Sequence, residues 1–326
     1  MMHDLENSEI LRKSKKFSNP YIKKIKRSFW DVLLWKLGFY DETKRREKPP
    51  NNFTYPIEKT FNDALPSVCW INHCTFLVKV GEITFLTDPI LSKYCSPLPI
   101  SSLKRKHSPG VELNDLPQLD CILISHNHYD HLDRKTVVKI NSLFPNAIWI
   151  VPKKLKKWFL KKNINNVCEL GWWDSFSCNG AVITAVPAQH FSGRTIFDTN
   201  KTLWNGYVVE SQKENKKFYF SGDTGYNDKD FKEIGKKFNG IDLGMIPIGT
   251  YCPREFMKPV HINPDEAVRI HTEISSKFSI GMHWKTFKLS DEPLDLPPYD
   301  LYLAMKKVGL PFREFVAVEP GLFLNW

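Results

Sequence analysis

Across 326 residues the chain has no C-x-x-C pair, no internal repeat and no low-complexity tract. The first absence argues against a structural cysteine-zinc site or a redox dithiol, the others against solenoid and disordered architectures. The cysteines number seven, and an odd set cannot all pair within one chain. A reducing compartment is therefore expected, with the protein in the cytoplasm. Apolar runs are short as well. The most hydrophobic early stretch, Phe29 to Tyr40, is interrupted by Asp31 and Lys36, far from the roughly 18 uninterrupted apolar residues of a spanning helix. It also lacks the small-residue cleavage pattern of a secretory signal.

What is present describes a globular protein. Hydrophobic residues make up 42% and charged residues 25%, enough apolar material for one large domain or two smaller ones. The formal charge of +10 favours anionic partners such as nucleic acid, a phospholipid surface or a phosphorylated substrate, and does not choose among them. Residues 1–60 read as a basic extension and 61–326 as the main domain. Ile22, Ile25, Phe29, Leu33 and Leu37 recur at helical spacing, flanked by Lys23, Lys24, Lys26 and Arg27 with Trp30 and Trp35 nearby. Such a helix suits a membrane interface, or else docks its apolar face on the main domain.

From residue 67 the pattern changes to short apolar segments between turns. Strands are expected at Ser67 to Ile71, Thr75 to Val80, Ile83 to Thr87, Cys121 to Ser125, Ile148 to Val151, Ala181 to Val186, Gly206 to Glu210, Phe218 to Ser221, Leu243 to Ile248 and Ser279 to His283. Helices are expected at Arg134 to Leu143, Lys153 to Lys162, Phe231 to Phe238 and Pro264 to Ile274, the last opened by Asn263 as N-cap. Strands in runs, then mixed with helices, point to an α/β (α+β) arrangement of sheets covered by helices.

The chemistry concentrates after the apolar run Cys121 to Ile124. There the chain reads Ser125-His126-Asn127-His128-Tyr129-Asp130-His131, the spacing H-x-H-x-D-H. Imidazole and carboxylate donors on a loop leaving a strand suit zinc or a similar borderline cation, with His126 and His128 directed to one metal and Asp130 and His131 to a second. Two metals need more donors. His190, Asp223 and His283 each end a further apolar segment, and Asp223 sits in a glycine-flanked turn from which it can bridge.

Longer motifs carry a resemblance. Trp70-Ile-Asn-His-Cys-Thr75, Phe85-Leu-Thr-Asp-Pro-Ile90, Leu123-Ile-Ser-His-Asn-His-Tyr-Asp-His-Leu-Asp133, Phe220-Ser-Gly-Asp-Thr-Gly-Tyr226, Ile246-Pro-Ile-Gly249 and His261-Ile-Asn-Pro-Asp-Glu-Ala-Val-Arg-Ile-His-Thr272 together resemble the N-acylphosphatidylethanolamine-hydrolysing phospholipase D family of the metallo-β-lactamase superfamily. The resemblance implies a four-layer αββα sandwich and two zinc ions per chain. His126, His128 and His190 would hold one zinc, Asp130, His131 and His283 the other, with Asp223 bridging. Asp130 and Asp223 are then the catalytic carboxylates and His261 a substrate-binding residue near the phosphate. The reaction implied is hydrolysis of N-acylphosphatidylethanolamine to an N-acylethanolamine and phosphatidic acid, by water that a metal pair makes acidic enough to serve as nucleophile.

A phospholipid at a membrane surface is the expected partner, with peripheral attachment through basic residues. Nucleic acid is not expected, and a homodimer is compatible. His73 is either a support for a metal ligand or a satisfied core histidine. The chain departs from the family in Asn72-His73, where Gly-His is usual, and in Val260, where a polar side chain precedes the histidine. The competing readings are a hydrolase of the same fold acting on a sugar-phosphate lactone, RNA or thioester, and a basic nucleic-acid-binding protein.

Overall fold

The computed structural model describes residues 16–22, 34, 39, 48–56, 66–195 and 197–326. The basic amphipathic helix expected between Ile22 and Leu37 falls largely on 23–33 and 35–38, outside the described residues.

Fourteen strands form two seven-stranded sheets among the described residues. The first sheet contains β1 (Ser67–Asn72), β2 (Thr75–Val80), β3 (Ile83–Thr87), β4 (Cys121–Leu123), β5 (Ile148–Pro152) and β6 (Val167–Leu170). The second contains β7 (Ser175–Cys178), β8 (Ala181–Val186), β9 (Gly206–Ser211), β10 (Lys216–Phe220), β11 (Ile241–Pro247), β12 (Ser276–Met282) and β13 (Phe315–Val316). β14 (Phe323–Asn325) returns to the first sheet and pairs antiparallel with β1, Val68 opposite Leu324. Each sheet is antiparallel over one half and parallel over the other. β3, β4, β5 and β6 run parallel, as do β10, β11, β12 and β13.

The first sheet is buried on both faces, and its period-2 alternation sorts side chains into two separate clusters. Val68, Trp70, Phe76, Val78, Phe85, Leu123 and Ile150 point between the sheets. Cys69, Ile71, Leu77, Leu86, Ile122, Trp149 and Val151 point the other way, onto α1 (Arg134–Leu143) and α2 (Lys156–Leu160) through Val137, Ile140 and Phe159. The second sheet is covered by α3 (Asp230–Phe238), α5 (Pro264–Glu273) and α6 (Leu296–Val308), with the short α4 (Arg254–Met257) preceding α5. Phe231, Ile234, Val268, Ile270 and Leu301 join the inter-sheet cluster from that side. The layers are therefore helix, sheet, sheet, helix, as the resemblance implied.

Local signals explain most boundaries. Asn263 and Glu266 form a reciprocal capping box at the start of α5, with Pro264 in its first turn. The helix expected from Lys153 begins only at Lys156, because Lys154 takes a left-handed backbone (φ 67°). α6 was not legible in the sequence. Pro297 and Pro298 read as loop residues, yet they sit in its first turn, where no backbone N–H is required. The seven cysteines are all free. No helix of the described residues is long and apolar enough to cross a membrane.

Candidate metal centre

Every residue expected to bind metal lies just beyond the C-terminal end of a strand, on one edge of the sandwich. His126 to His131 follow β4, His190 follows β8, Asp223 follows β10 and His283 follows β12. Parallel strands and their neighbours thus deliver side chains from distant positions to one place.

His126 Nε2 lies 2.8 Å from His128 Nδ1, and His190 Nε2 lies 3.3 Å from the same atom. Asp223 Oδ2 is 3.1 Å from both His131 Nε2 and His283 Nε2. It is also 3.9 Å from His126 Nε2 and 3.7 Å from His190 Nε2. Asp130 Oδ2 stands 3.3 Å from His131 Nε2 and 3.6 Å from His283 Nε2. The three-histidine group and the group of Asp130, His131, Asp223 and His283 each bring their donor atoms within 4.8 Å of one another. Asp223 stands between them.

Hydrogen bonds link His128 to His126 and His190, but the second group is not satisfied in this way. His131 Nε2, His283 Nε2 and Asp223 Oδ1 are buried without hydrogen-bond partners, a costly state that a bound cation would relieve. Proton affinities agree. Burial alone would lower the pKa of His131 and His283, but Asp223 and Asp130 outweigh it, holding His131 well above the usual imidazole value and His283 up to about 9. Burial would likewise raise Asp130 and Asp223, yet the His131 charge keeps both well below the carboxylate range. The carboxylate group thus demands positive charge. In the three-histidine group burial dominates and leaves neutral imidazoles, His128 at about 3 and His190 at about 4, the form in which imidazole binds metal. The donor set fits two divalent cations of borderline softness.

Four of the five convergent imidazoles are held from behind, which fixes the nitrogen facing inward. His131 Nδ1 is 2.7 Å from Asp88 Oδ2, His190 Nδ1 donates to the Val260 carbonyl at 2.9 Å, His126 Nδ1 is 2.9 Å from Ser125 Oγ and His283 Nδ1 is 3.0 Å from Thr250 Oγ1. Asp88 also accepts from Ser125 N and Ser125 Oγ, at 2.7 and 2.5 Å. His73 Nε2 contacts Asp130 Oδ2 at 2.9 Å, so of the two readings of His73 the supporting one describes its position.

Asp88, Thr250 and the Val260 carbonyl were missed by sequence reasoning. Asp88 had a signal, since it stands inside the quoted Phe85 to Ile90 motif. The backbone is strained around this edge: His73, Asp88, Thr250 and His283 all have positive φ (43°, 30°, 63° and 61°), a conformation costly for side-chain-bearing residues and characteristic of functional sites. Gly222 has φ 57°, and a Cβ there would lie 2.5 Å from Ser125 Cβ. Only glycine lets the Asp223 turn approach the histidine loop.

His261 joins the same edge, its ring 5.1 Å from His190 and 5.3 Å from His283, its Nδ1 buried without a partner. Arg254 fastens it by donating to its carbonyl at 2.8 Å and by pairing with Glu266 of the capping box. A cavity of about 440 Å³ against Trp284 and Lys285, also lined by Phe53, Tyr55 and Pro298, contains none of the seven convergent side chains.

A family model described as the beta-lactamase superfamily domain matches residues 84–284. The N-acyl-phosphatidylethanolamine-hydrolyzing phospholipase D 1 of Caenorhabditis elegans is 43% identical over 98% of this chain and 95% of its own length. The mitochondrial N-acyl-phosphatidylethanolamine-hydrolyzing phospholipase D of Saccharomyces cerevisiae is 36% identical over 68% of this chain and 48% of its own length. Among solved structures, a possible metal-dependent hydrolase from Veillonella parvula superposes with a TM-score of 0.65 at 17% identity, covering 81% of this chain and 100% of that one, which supports the fold.

Proposed function

The chain belongs to the beta-lactamase superfamily and, within it, to the N-acyl-phosphatidylethanolamine-hydrolysing phospholipase D family, and from that membership we propose that it is a two-zinc phosphodiesterase releasing N-acylethanolamine and phosphatidic acid. The observation that carries the reading is the convergence of seven donors from four strand ends onto two adjoining clusters, with Asp223 between them.

In this proposal His126, His128 and His190 would hold one zinc and Asp130, His131 and His283 the other, with Asp223 available to both. When bound, the pair supplies Lewis acidity and lowers the pKa of water from roughly 15.7 to about 7. The remaining work falls to the protein. Asp130, 15% exposed and held by His73, is the carboxylate placed to accept a hydrogen bond from the attacking water and orient it, and the proton that water gives up ends on the ethanolamine oxygen as the phosphorus–oxygen bond breaks. Asp223, almost fully buried, keeps the two clusters at fixed separation. His261 presents an imidazole with an unpartnered nitrogen to a non-bridging phosphoryl oxygen.

The substrate fits the charge of the chain. Acylation of the ethanolamine nitrogen removes its positive charge and leaves a headgroup carrying only the phosphodiester, which a protein of net charge +10 attracts. Residues 1–60 are proposed as the basic extension that meets the membrane surface, each Lys or Arg contributing roughly 1 kcal/mol near an anionic bilayer.

The test is to incubate zinc-loaded protein with vesicles containing N-acylphosphatidylethanolamine and analyse the lipids by mass spectrometry. N-acylethanolamine and phosphatidic acid are expected in equal amounts, and His128→Ala should lose both metal and turnover. Full metal content with neither product would remove the lipid assignment; full activity in His128→Ala would remove the mechanism.

A further inference from the structure

A segment near the N-terminus reaches the metal edge from outside. The Phe17 ring is buried among Ala188, Leu203 and Trp204, the first of these two residues before His190. Its backbone N–H donates to the Asn200 carbonyl at 2.8 Å, and the Lys154 ammonium lies 4.6 Å above its ring. Thus anchored, the chain brings Asn19 Nδ2 to 2.7 Å from the His190 carbonyl, a contact spanning 171 residues. Pro20 restricts Asn19 to extended backbone conformations, so the side chain is presented with little freedom left to lose. Tyr21 continues the segment under the Lys229 ammonium, 4.8 Å from its ring.

The His190 carbonyl belongs to the peptide plane joining His190 to Phe191. Fixing that plane sets ψ of His190 and φ of Phe191, and with them the direction in which each side chain leaves the backbone. Phe191 packs its ring 4.5 Å from that of His128 and 4.8 Å from that of His190. One amide therefore bears on two of the three imidazoles in the histidine cluster. The preceding residue is pinned separately: Gln189 donates its N–H to Thr224 Oγ1 at 2.9 Å and accepts from Gly225 N at 2.7 Å. The Asn19 bond completes the clamp on the other side.

We propose that Asn19 is a positioning residue of the metal centre, orienting His190 and Phe191 through the peptide between them, and that residues 17–21 are consequently part of the catalytic unit. The inference rests on the reading of His126, His128 and His190 as metal ligands. It assigns the N-terminal region a role at the metal that is separate from any contact with lipid.

Cobalt substitution tests it without recourse to lipid turnover. Metal-free protein is titrated with Co²⁺ and followed by visible absorption, for the wild type, Asn19→Ala and the near-isosteric Asn19→Asp. Loss of a partner one shell behind a ligand weakens metal binding by roughly tenfold or more. Both Asn19 variants should therefore take up one of two equivalents about tenfold more weakly and show altered d–d bands. Asn19 variants with a lowered melting temperature but superimposable titrations and bands would reduce Asn19 to an anchor and overturn the proposal alone. A wild type that binds no cobalt would overturn the metal-centre reading along with it.

Discussion

Asp88 shows how much a single residue behind the ligands controls. It accepts from His131 Nδ1 while also taking the N–H and hydroxyl of Ser125, the residue that opens the histidine loop. The contact with His131 fixes which of its nitrogens faces the centre. Asp88→Asn keeps the shape and tolerates the positive φ, since asparagine enters the left-handed region readily. Metal affinity should fall about 10–100-fold with far-ultraviolet circular dichroism unchanged, measured by competition with a chromophoric chelator. An unaltered affinity would mean that Asp88 serves only the loop backbone. His271 belongs to this scale too, although it lies away from the site. It is 2% exposed, bonded to Ser279 Oγ at 2.8 Å and stacked on Phe315, and burial lowers its pKa to about 4. The unfolded chain protonates this residue near 6.5, before the folded one does, so stability is lost as pH falls from 6.5 towards 4. That 2.5-unit difference is worth about 3 kcal/mol. Urea unfolding of His271→Gln should show a shallower loss across this window by about that amount; parallel curves would place the acid sensitivity elsewhere.

At the level of elements, the site is made by strand ends and the helices that begin beside them. The histidine loop passes from β4 into α1, and Asp133, two residues after His131, caps that helix by accepting from Lys135 N and Thr136 N, while also accepting from Ser92 N. Between them, His128 O accepts from His131 N and Leu132 N at 3.2 and 2.8 Å, so the loop is closed on itself. α5 does the same service for His261, whose carbonyl is bound by the Arg254 that also pairs with Glu266. Motif residues that look dispensable to the chemistry are thus caps and clamps. They were visible in the sequence as part of long motifs, but which group each would hold was not.

For the molecule as a whole, the two sheets bring residues from 73 to 283 to one edge, and a metal held by the proposed donors would join both sheets there. His126, His128, Asp130 and His131 come from the first sheet, whereas His190, Asp223 and His283 come from the second. Ligands that bind only the folded state stabilise it by mass action, about 2.7 kcal/mol at a hundredfold excess over Kd. Removing metal with a chelator should therefore lower the melting temperature of the whole protein in one transition, and adding zinc should restore it. An unchanged melting temperature, with metal loss verified by elemental analysis, would show that the edge is preorganised without cations.

The four-layer order was implied only by the family resemblance, while the sequence by itself carried the candidate donor types and the strand-then-donor rhythm. These follow from local facts: apolar alternation, a four-donor loop within six residues, an Asn-Pro start to α5. Weak local signals left β6, β7, β13, β14, α4 and α6 unread, since these elements are short, lie at sheet edges or open on consecutive prolines, and only packing gives them order. Tertiary structure alone decided that Asp88 stands behind His131, that His73 holds Asp130, and that Asn19 meets a carbonyl 171 residues away. Such contacts depend on where two sheets bring their edges together, a relation between distant segments that no local pattern encodes.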